Sequence, residues 1–206
     1  MNKMRIIIKI LLIAAISGHS LLAECQKFVL SADGTAIAIK GTSSLHDWEM
    51  NLEAFNSVFQ LNRDGNGIKG IENVSFSCKA TDIKSEYSLM DKKTRDALKA
   101  DEFPEIKFSS ISATTQVDRD NTFTGSLNGR LNVAGTSRDV SLPFKGTFND
   151  NNTINITALA ELTMSSFNIS PPTALMGTLK TGDKISVLFT LHFVTTEKDY
   201  AQTFGK

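Results

Sequence analysis

The chain is poor in the residues that build metal centres, disulfide frameworks and active sites. Its two cysteines, Cys25 and Cys78, can form at most one bond, and spacing alone cannot establish that they meet. Cys78 shares its alternation phase with Val74 and Phe76, so it reads as a small buried hydrophobe. Of three histidines, His19 lies in the leading segment, and His46 and His192 make no spaced metal cluster with two cysteines. There is no Gly-x-Ser-x-Gly elbow and no phosphate-cradling glycine loop. Charge of one sign is missing too: 22 Lys and Arg face 22 Asp and Glu, which leaves no basic stripe and excludes a nucleic-acid partner. One Trp and two Tyr cannot supply the girdles of a membrane-embedded barrel.

Long hydrophobic runs are also absent. The greasiest stretch, "ILLIAAIS", is shorter than the roughly 20 residues that span a bilayer. It follows the basic start "MNKMRIIIK" and precedes small residues, so residues 1–23 read as a secretory signal cut after Ala23. The expected product is exported to a periplasm or beyond, where a disulfide is permitted. Lipoprotein-type processing at Cys25 is the lesser alternative, because Glu24 replaces the usual small residue of "LAEC". The cut removes Lys3, Arg5 and Lys9 and no acid, leaving 19 basic side chains against 22 acidic ones. Residues 24–206 suffice for one domain, and no repeat divides them.

What the chain has in abundance is alternation. In "NTFTGSLNGRLNVAG" Phe123, Gly125, Leu127, Gly129, Leu131 and Val133 share one face, and Thr122, Thr124, Ser126, Asn128, Arg130 and Asn132 share the other. A period of two marks strands with one buried face. The pattern returns in "DVSLPFKGTF", "TINITALAELTM", "KISVLFTLHF", "NVSFSCKA" and "PEIKFSS". With "FVL", "AIAIK" and "WEMNLEAF" the strands number about eight or more. The connections Asp33-Gly34, "NRDGNG", "DRDN", "NDNN" and "TGDK" are turn chemistry suited to antiparallel neighbours.

One segment has helical spacing. "SLMDKKTRDALKA", Ser88 to Ala100, puts Met90, Ala97 and Leu98 on a stripe expected to face the sheet. Ser88 and Asp91 resemble a capping box. "FNISPPTALMG", Phe167 to Gly177, reads as an irregular loop, since Pro171 and Pro172 cannot donate to a ladder. Such strands fold as two packed sheets or as a closed barrel. Gly125, Gly129 and Gly146 at inward phases favour strong coiling.

In "LHDWEMNLE" a single strand would place His46, Trp48, Met50 and Leu52 inward and Asp47 outward. His46 and Asp47 then form no catalytic pair. Two readings of His46 stand: a core histidine bonded to backbone or water, which the pattern favours, or a polar handle at the mouth of an apolar cavity.

Three stretches together resemble the YceI-like family of exported lipocalin-fold proteins: "GTSSLHDWEM", "SLMDKKTRDALKADEFPEIKF" and "GSLNGRLNVAGTSRDVSLPFKG". The closing "MSSFNISPPTALMGTLKTGDKISVLF" is similar to a subgroup of it. The resemblance implies an all-β fold, an eight-stranded antiparallel lipocalin-like barrel with one added amphipathic helix and a long apolar tunnel. It implies a non-enzymatic protein without a cofactor that binds an amphiphilic lipid or polyprenyl ligand, and it is compatible with transient membrane contact. The inner-face positions expected to line the tunnel are His46, Trp48, Met50, Phe76, Phe108, Leu127, Leu131, Phe144 and Phe189. A structural domain with a filled core, a membrane-embedded barrel and an enzyme using His46 as base are the alternatives.

Overall fold

The computed structural model describes residues 24–64, 67–118, 121–149, 153–174 and 177–195. The expected signal segment, residues 1–23, lies outside the described residues, as do the tips of three of the predicted turns. Among the described residues are twelve strands: β1 (Glu24–Leu30), β2 (Ala36–Ser43), β3 (Trp48–Leu52), β4 (Phe55–Asp64), β5 (Gly67–Lys79), β6 (Ile83–Lys84), β7 (Glu105–Val117), β8 (Thr122–Val133), β9 (Thr136–Phe148), β10 (Thr153–Thr163), β11 (Thr173–Ala174) and β12 (Leu179–Thr195). One α-helix, α1 (Ser88–Ala97), lies between β6 and β7.

All pairings are antiparallel, and β1, β4, β5, β7, β8, β9, β10 and β12 close into an eight-stranded barrel through the β1–β12 ladder. Three walls of this barrel bend at a break. β2 continues β1 along the edge of β12, β3 precedes β4, and β6 follows β5 after a 3₁₀ turn at Ala80–Asp82. The breaks divide the molecule into a closed half, walled by β1, β4 and β5, and an open half, walled by β2, β3 and β6. In the open half the ring is incomplete, because among the described residues β6 pairs only with β3. The segment carrying α1 bridges from β6 to β7 at that gap.

Alternation dictates what points inward. Phe28, Phe59, Leu61, Phe123, Ile154 and Phe193 of the closed half are almost wholly buried in one cluster. Phe28 stacks on Phe59 with ring centroids 5.1 Å apart, and Phe59 meets Phe193 edge-on at 4.8 Å. Inward glycines make this density possible. A Cβ at Gly146 would collide with the Phe123 ring, one at Gly125 with Phe144, and one at Gly129 with Phe108. Each large ring thus lies over a neighbour that has no side chain, and the barrel coils around the stack.

Three expectations are corrected by the structure. "TGDK", Thr181 to Lys184, is no turn; it is an irregularity inside β12, where the register to β2 shifts between Thr181 and Ile185. Ser88 does not cap α1. Tyr87 holds that position without a side-chain bond, and the Asp91 carboxylate instead takes the Ser85 hydroxyl and backbone N–H, both at 2.8 Å. The helix ends at Ala97, three residues early, as Lys99 turns to φ 51° and redirects the chain. Within the expected loop Phe167–Gly177, residues 168–172 are irregular, Phe167 ends a 3₁₀ turn, and β11 pairs with β12 over two residues. Cys25 and Cys78 are both free, with Cys25 exposed and Cys78 buried.

Candidate functional site: the hollow half of the barrel

Above the phenylalanine stack the barrel is empty. A cavity of about 1470 Å³ runs from Phe144, Phe108 and Leu127 to the open end. All nine residues expected from alternation border it. Met50, Phe108, Leu127 and Phe144 are buried, while Trp48, Phe76, Leu131 and Phe189 are half-buried because they face open space. The ninth, His46, is exposed.

His46 is where alternation misleads. β3 begins only at Trp48, and residues 44–47 form a turn rather than an extension of the strand. Ser43 builds that turn: its Oγ accepts from the Leu45 and His46 N–H groups at 3.2 Å and donates to the His46 carbonyl at 2.7 Å. His46 is therefore neither a core residue nor an inward strand residue, and it stands at the rim. Its Nδ1 lies 2.6 Å from the Asp47 backbone carbonyl, which can only accept. Nδ1 then carries the proton of the neutral ring, and Nε2 is the ring's acceptor. Asp47 meets the ring through its backbone carbonyl, which does not make it the carboxylate orienter of a catalytic pair.

Trp48 has a defined seat. Its Nε1 donates to the Thr42 carbonyl at 3.0 Å, and its ring lies where a side chain at Gly41 would otherwise be. Both partners belong to β2, so the indole is pinned to the wall beside the mouth.

The helix contributes lining that strand alternation could not reveal. Met90, Thr94, Ala97 and Leu98 border the cavity, so the apolar stripe faces hollow space as well as the sheet. Thr94 Oγ1 reaches Met50 Sδ at 3.3 Å, tying α1 to β3. At the other end of the helix Asp91 is the anchor. Burial by itself would raise its pKa, yet the two hydrogen bonds from Ser85, with Lys84 and Arg95 nearby, outweigh that and hold it below the usual carboxylate range.

Phe167 and Ile169 also face the cavity, from the loop after β10. They are buried because Asp183 fixes that loop: its carboxylate accepts from the Ser165 N–H at 2.8 Å and from the Ser165 hydroxyl. Those bonds, the hydroxyl's first, lower the Asp183 pKa. Neither loop residue belongs to a strand, and sequence periodicity carries no trace of their role.

Chemistry in the wall is sparse. Cys78 borders the cavity, but burial, reinforced by Asp82, pushes its thiol up to about 12, so it stays protonated and inert near neutral pH. Ser57, buried in the lining, satisfies its hydroxyl on the Ser75 carbonyl at 3.1 Å. Among the described residues no group of three or more His, Cys, Asp or Glu could hold a metal ion.

Comparison with known proteins places this arrangement among others. A family model described as the YceI-like domain matches residues 28–193. BcnA of Burkholderia cenocepacia superposes with a TM-score of 0.58 at 15% identity, covering 77% of this chain and 95% of that one. A polyisoprenoid binding domain from Saccharophagus degradans gives 0.61 at 8% identity, covering 82% and 98%. The YceI protein of Campylobacter jejuni gives 0.55 at 17%, covering 71% and 84%. At such identities the shared feature is the fold. No curated protein sequence matches.

Proposed function

The chain belongs to the YceI-like family, and from that membership and the hollow half of its barrel we propose that it binds the apolar chain of an amphiphilic lipid, without catalysis. The cavity itself carries this reading. Its 1470 Å³ exceeds the roughly 300–1,000 Å³ of ordinary small-molecule pockets and equals about 50 water volumes at about 30 Å³ each. A wall of Phe, Ile, Leu, Val and Met offers those waters almost nothing to bond, so an apolar guest displaces them favourably. Each methylene taken from water contributes about 0.8 kcal/mol, and a long chain needs no specific chemistry to be held. A relative described as polyisoprenoid-binding supports an isoprenoid or fatty chain as the guest.

In this reading the nine wall residues from His46 to Phe189 are the contacts. The protein is exported by its leading segment and carries its guest through an aqueous compartment such as the periplasm. A filled structural core describes the closed half but not the open one. A membrane-embedded barrel would need the apolar phases outside, whereas Phe123, Ile154 and Phe193 are buried within.

Trp48 supplies the test. Titration with geranylgeraniol should shift indole emission and saturate at one guest per chain. An unchanged spectrum with no uptake by equilibrium dialysis would contradict the proposal.

A further inference from the structure

The cavity also opens sideways, an inference that rests on the lipid-binding reading and adds the route its guest takes. A strand paired on both edges offers a cavity only its inward phase. β8 does so: Leu127, Leu131 and Val133 border the hollow, and their outward neighbours do not. β9 and β10 follow the same rule beside the phenylalanine stack, through Phe144, Ile156 and Ala158, and then break it. Residues 139–142 of β9 and 160–163 of β10 border the cavity in both phases. Outward side chains such as Ser141 and Thr163 meet an interior only where that interior passes between two strand edges.

The ladder ends at that level. Among the described residues β9 and β10 pair from Ile154–Phe148 to Ala158–Phe144, although both strands extend beyond that last pair. β10 stays paired with β12 up to Thr163, so its free edge is the one facing β9. Sequence supplies the reason. Pro143 adjoins the last pair, and proline has no N–H to give a ladder. β8 pairs with β9 through Pro143 without a shift of register, so the missing donor faces β10. Past Pro143, β9 is an edge strand, and a slit separates it from β10.

One loop crosses the slit. Residues 165–169 leave the end of β10 and reach β9, where Arg138 Nε donates to the Ser166 carbonyl at 2.7 Å and Asn168 Nδ2 to Thr136 Oγ1 at 3.2 Å. Phe167 and Ile169 turn inward from this loop and are buried at the cavity's border. These bonds, and those from Ser165 to Asp183, all lie at the exposed surface. The flank beside β6, where Glu49 and Asn51 of β3 border the cavity in the same way, is covered more firmly, by α1 with its apolar stripe and its buried Asp91. Outside the slit, Leu159 and Leu188 form a cross-strand pair, 47% and 38% exposed, and make an apolar step beside the opening. We propose that the β9–β10 slit is the lateral port through which the apolar guest enters and leaves, with residues 165–169 as its latch.

A reversible staple tests this. Thr136→Cys with Asn168→Cys, in a Cys25→Ser background, joins the latch to β9 where their side chains already touch. Geranylgeraniol uptake is followed by Trp48 emission after rapid mixing, and release by transfer to phosphatidylcholine vesicles. Oxidation should slow both rates by about tenfold, leave affinity unchanged and reverse on reduction, as gating requires. Arg138→Ala, which frees the latch, should speed both by about threefold. Asp91→Asn, which loosens α1 instead, should leave them at the wild-type value. Where free-thiol titration shows that the staple has not closed, Arg138→Ala decides alone. Rates untouched by a closed staple or by Arg138→Ala overturn the port, and so does faster exchange in Asp91→Asn, which would route the guest beneath the helix; lipid binding stands in each case. Absence of geranylgeraniol binding in the wild type overturns the carrier reading and the port with it.

Discussion

Within the closed half, rings from Phe28, Phe59, Phe123 and Phe193 pack into one cluster across the barrel; in the open half, Ile37, Met50, Leu52, Cys78 and Ile83 pack along the wall and leave a cavity beside them. Two local choices account for the contrast. In the closed half an inward ring lies over an inward glycine, as Phe123 does over Gly146, so bulk from one strand fills the space vacated by the next. In the open half the inward set turns to Ile37, Ile39, Met50, Leu131 and Val187, which line the wall but do not cross it. The second choice is topological. β6 stops after two residues without pairing to β7, and the chain detours through α1 before β7 begins. The ring is incomplete there, and the cavity extends to the helix. Hydrophobic alternation therefore specifies which face is inside; the unclosed seam beside β6 is where the inside stays hollow.

The sharpest way to break this comparison is to remove matching rings from each half. Phe59→Ala, in the closed half, should cost about 3–5 kcal/mol in denaturant unfolding. Phe189→Ala, in the open half, should cost clearly less, because Phe189 is already half-exposed to the hollow, yet weaken lipid uptake. Equal losses would mean that the halves are not differently packed.

Overfilling is the next largest effect. Gly146→Ala puts a methyl group into the Phe123 ring and should destabilise by about 1–3 kcal/mol. Gly41→Ala puts a methyl group into the Trp48 indole, which the Thr42 carbonyl holds in place, so indole emission should change together with stability.

The helix anchor gives a pH signature. Because the folded-state pKa of Asp91 is depressed, its contribution is present above the unfolded value of about 3.9 and is lost as pH falls through the lower folded value. Asp91→Asn should therefore be less stable than wild type at neutral pH, and the two should converge in acid, as read from midpoints between pH 7 and pH 2. A gap that persists in acid would assign the loss to geometry rather than charge. The smallest effect belongs to Asp183→Asn, which weakens the bonds to Ser165 at the surface and should loosen Phe167 and Ile169 more than it lowers the global midpoint.

The residues that were legible in the sequence are those whose environment a period of two determines. Phe76, Phe108, Leu127, Leu131, Phe144 and Phe189 lie in uninterrupted strands, and each faces the cavity as its phase requires. His46 was misplaced because the Ser43 hydroxyl competes for the backbone and holds residues 44–47 in a turn, so β3 begins only at Trp48. "TGDK" has turn composition, but its ladder with β2 and β10 overrides that preference. The Ser85–Asp91 anchor spans six residues and a chain reversal that no local pattern encodes. Phe167 and Ile169 follow a turn that Asp183 of β12 holds at the end of its ladder with β10, a contact far apart in sequence.

Native mass spectrometry of the chain purified without detergent addresses the central claim most directly. The account predicts a species heavier than the polypeptide by one amphiphile, which solvent extraction removes and an added long-chain prenyl alcohol restores. A bare polypeptide mass that stays bare when the alcohol is offered would contradict it.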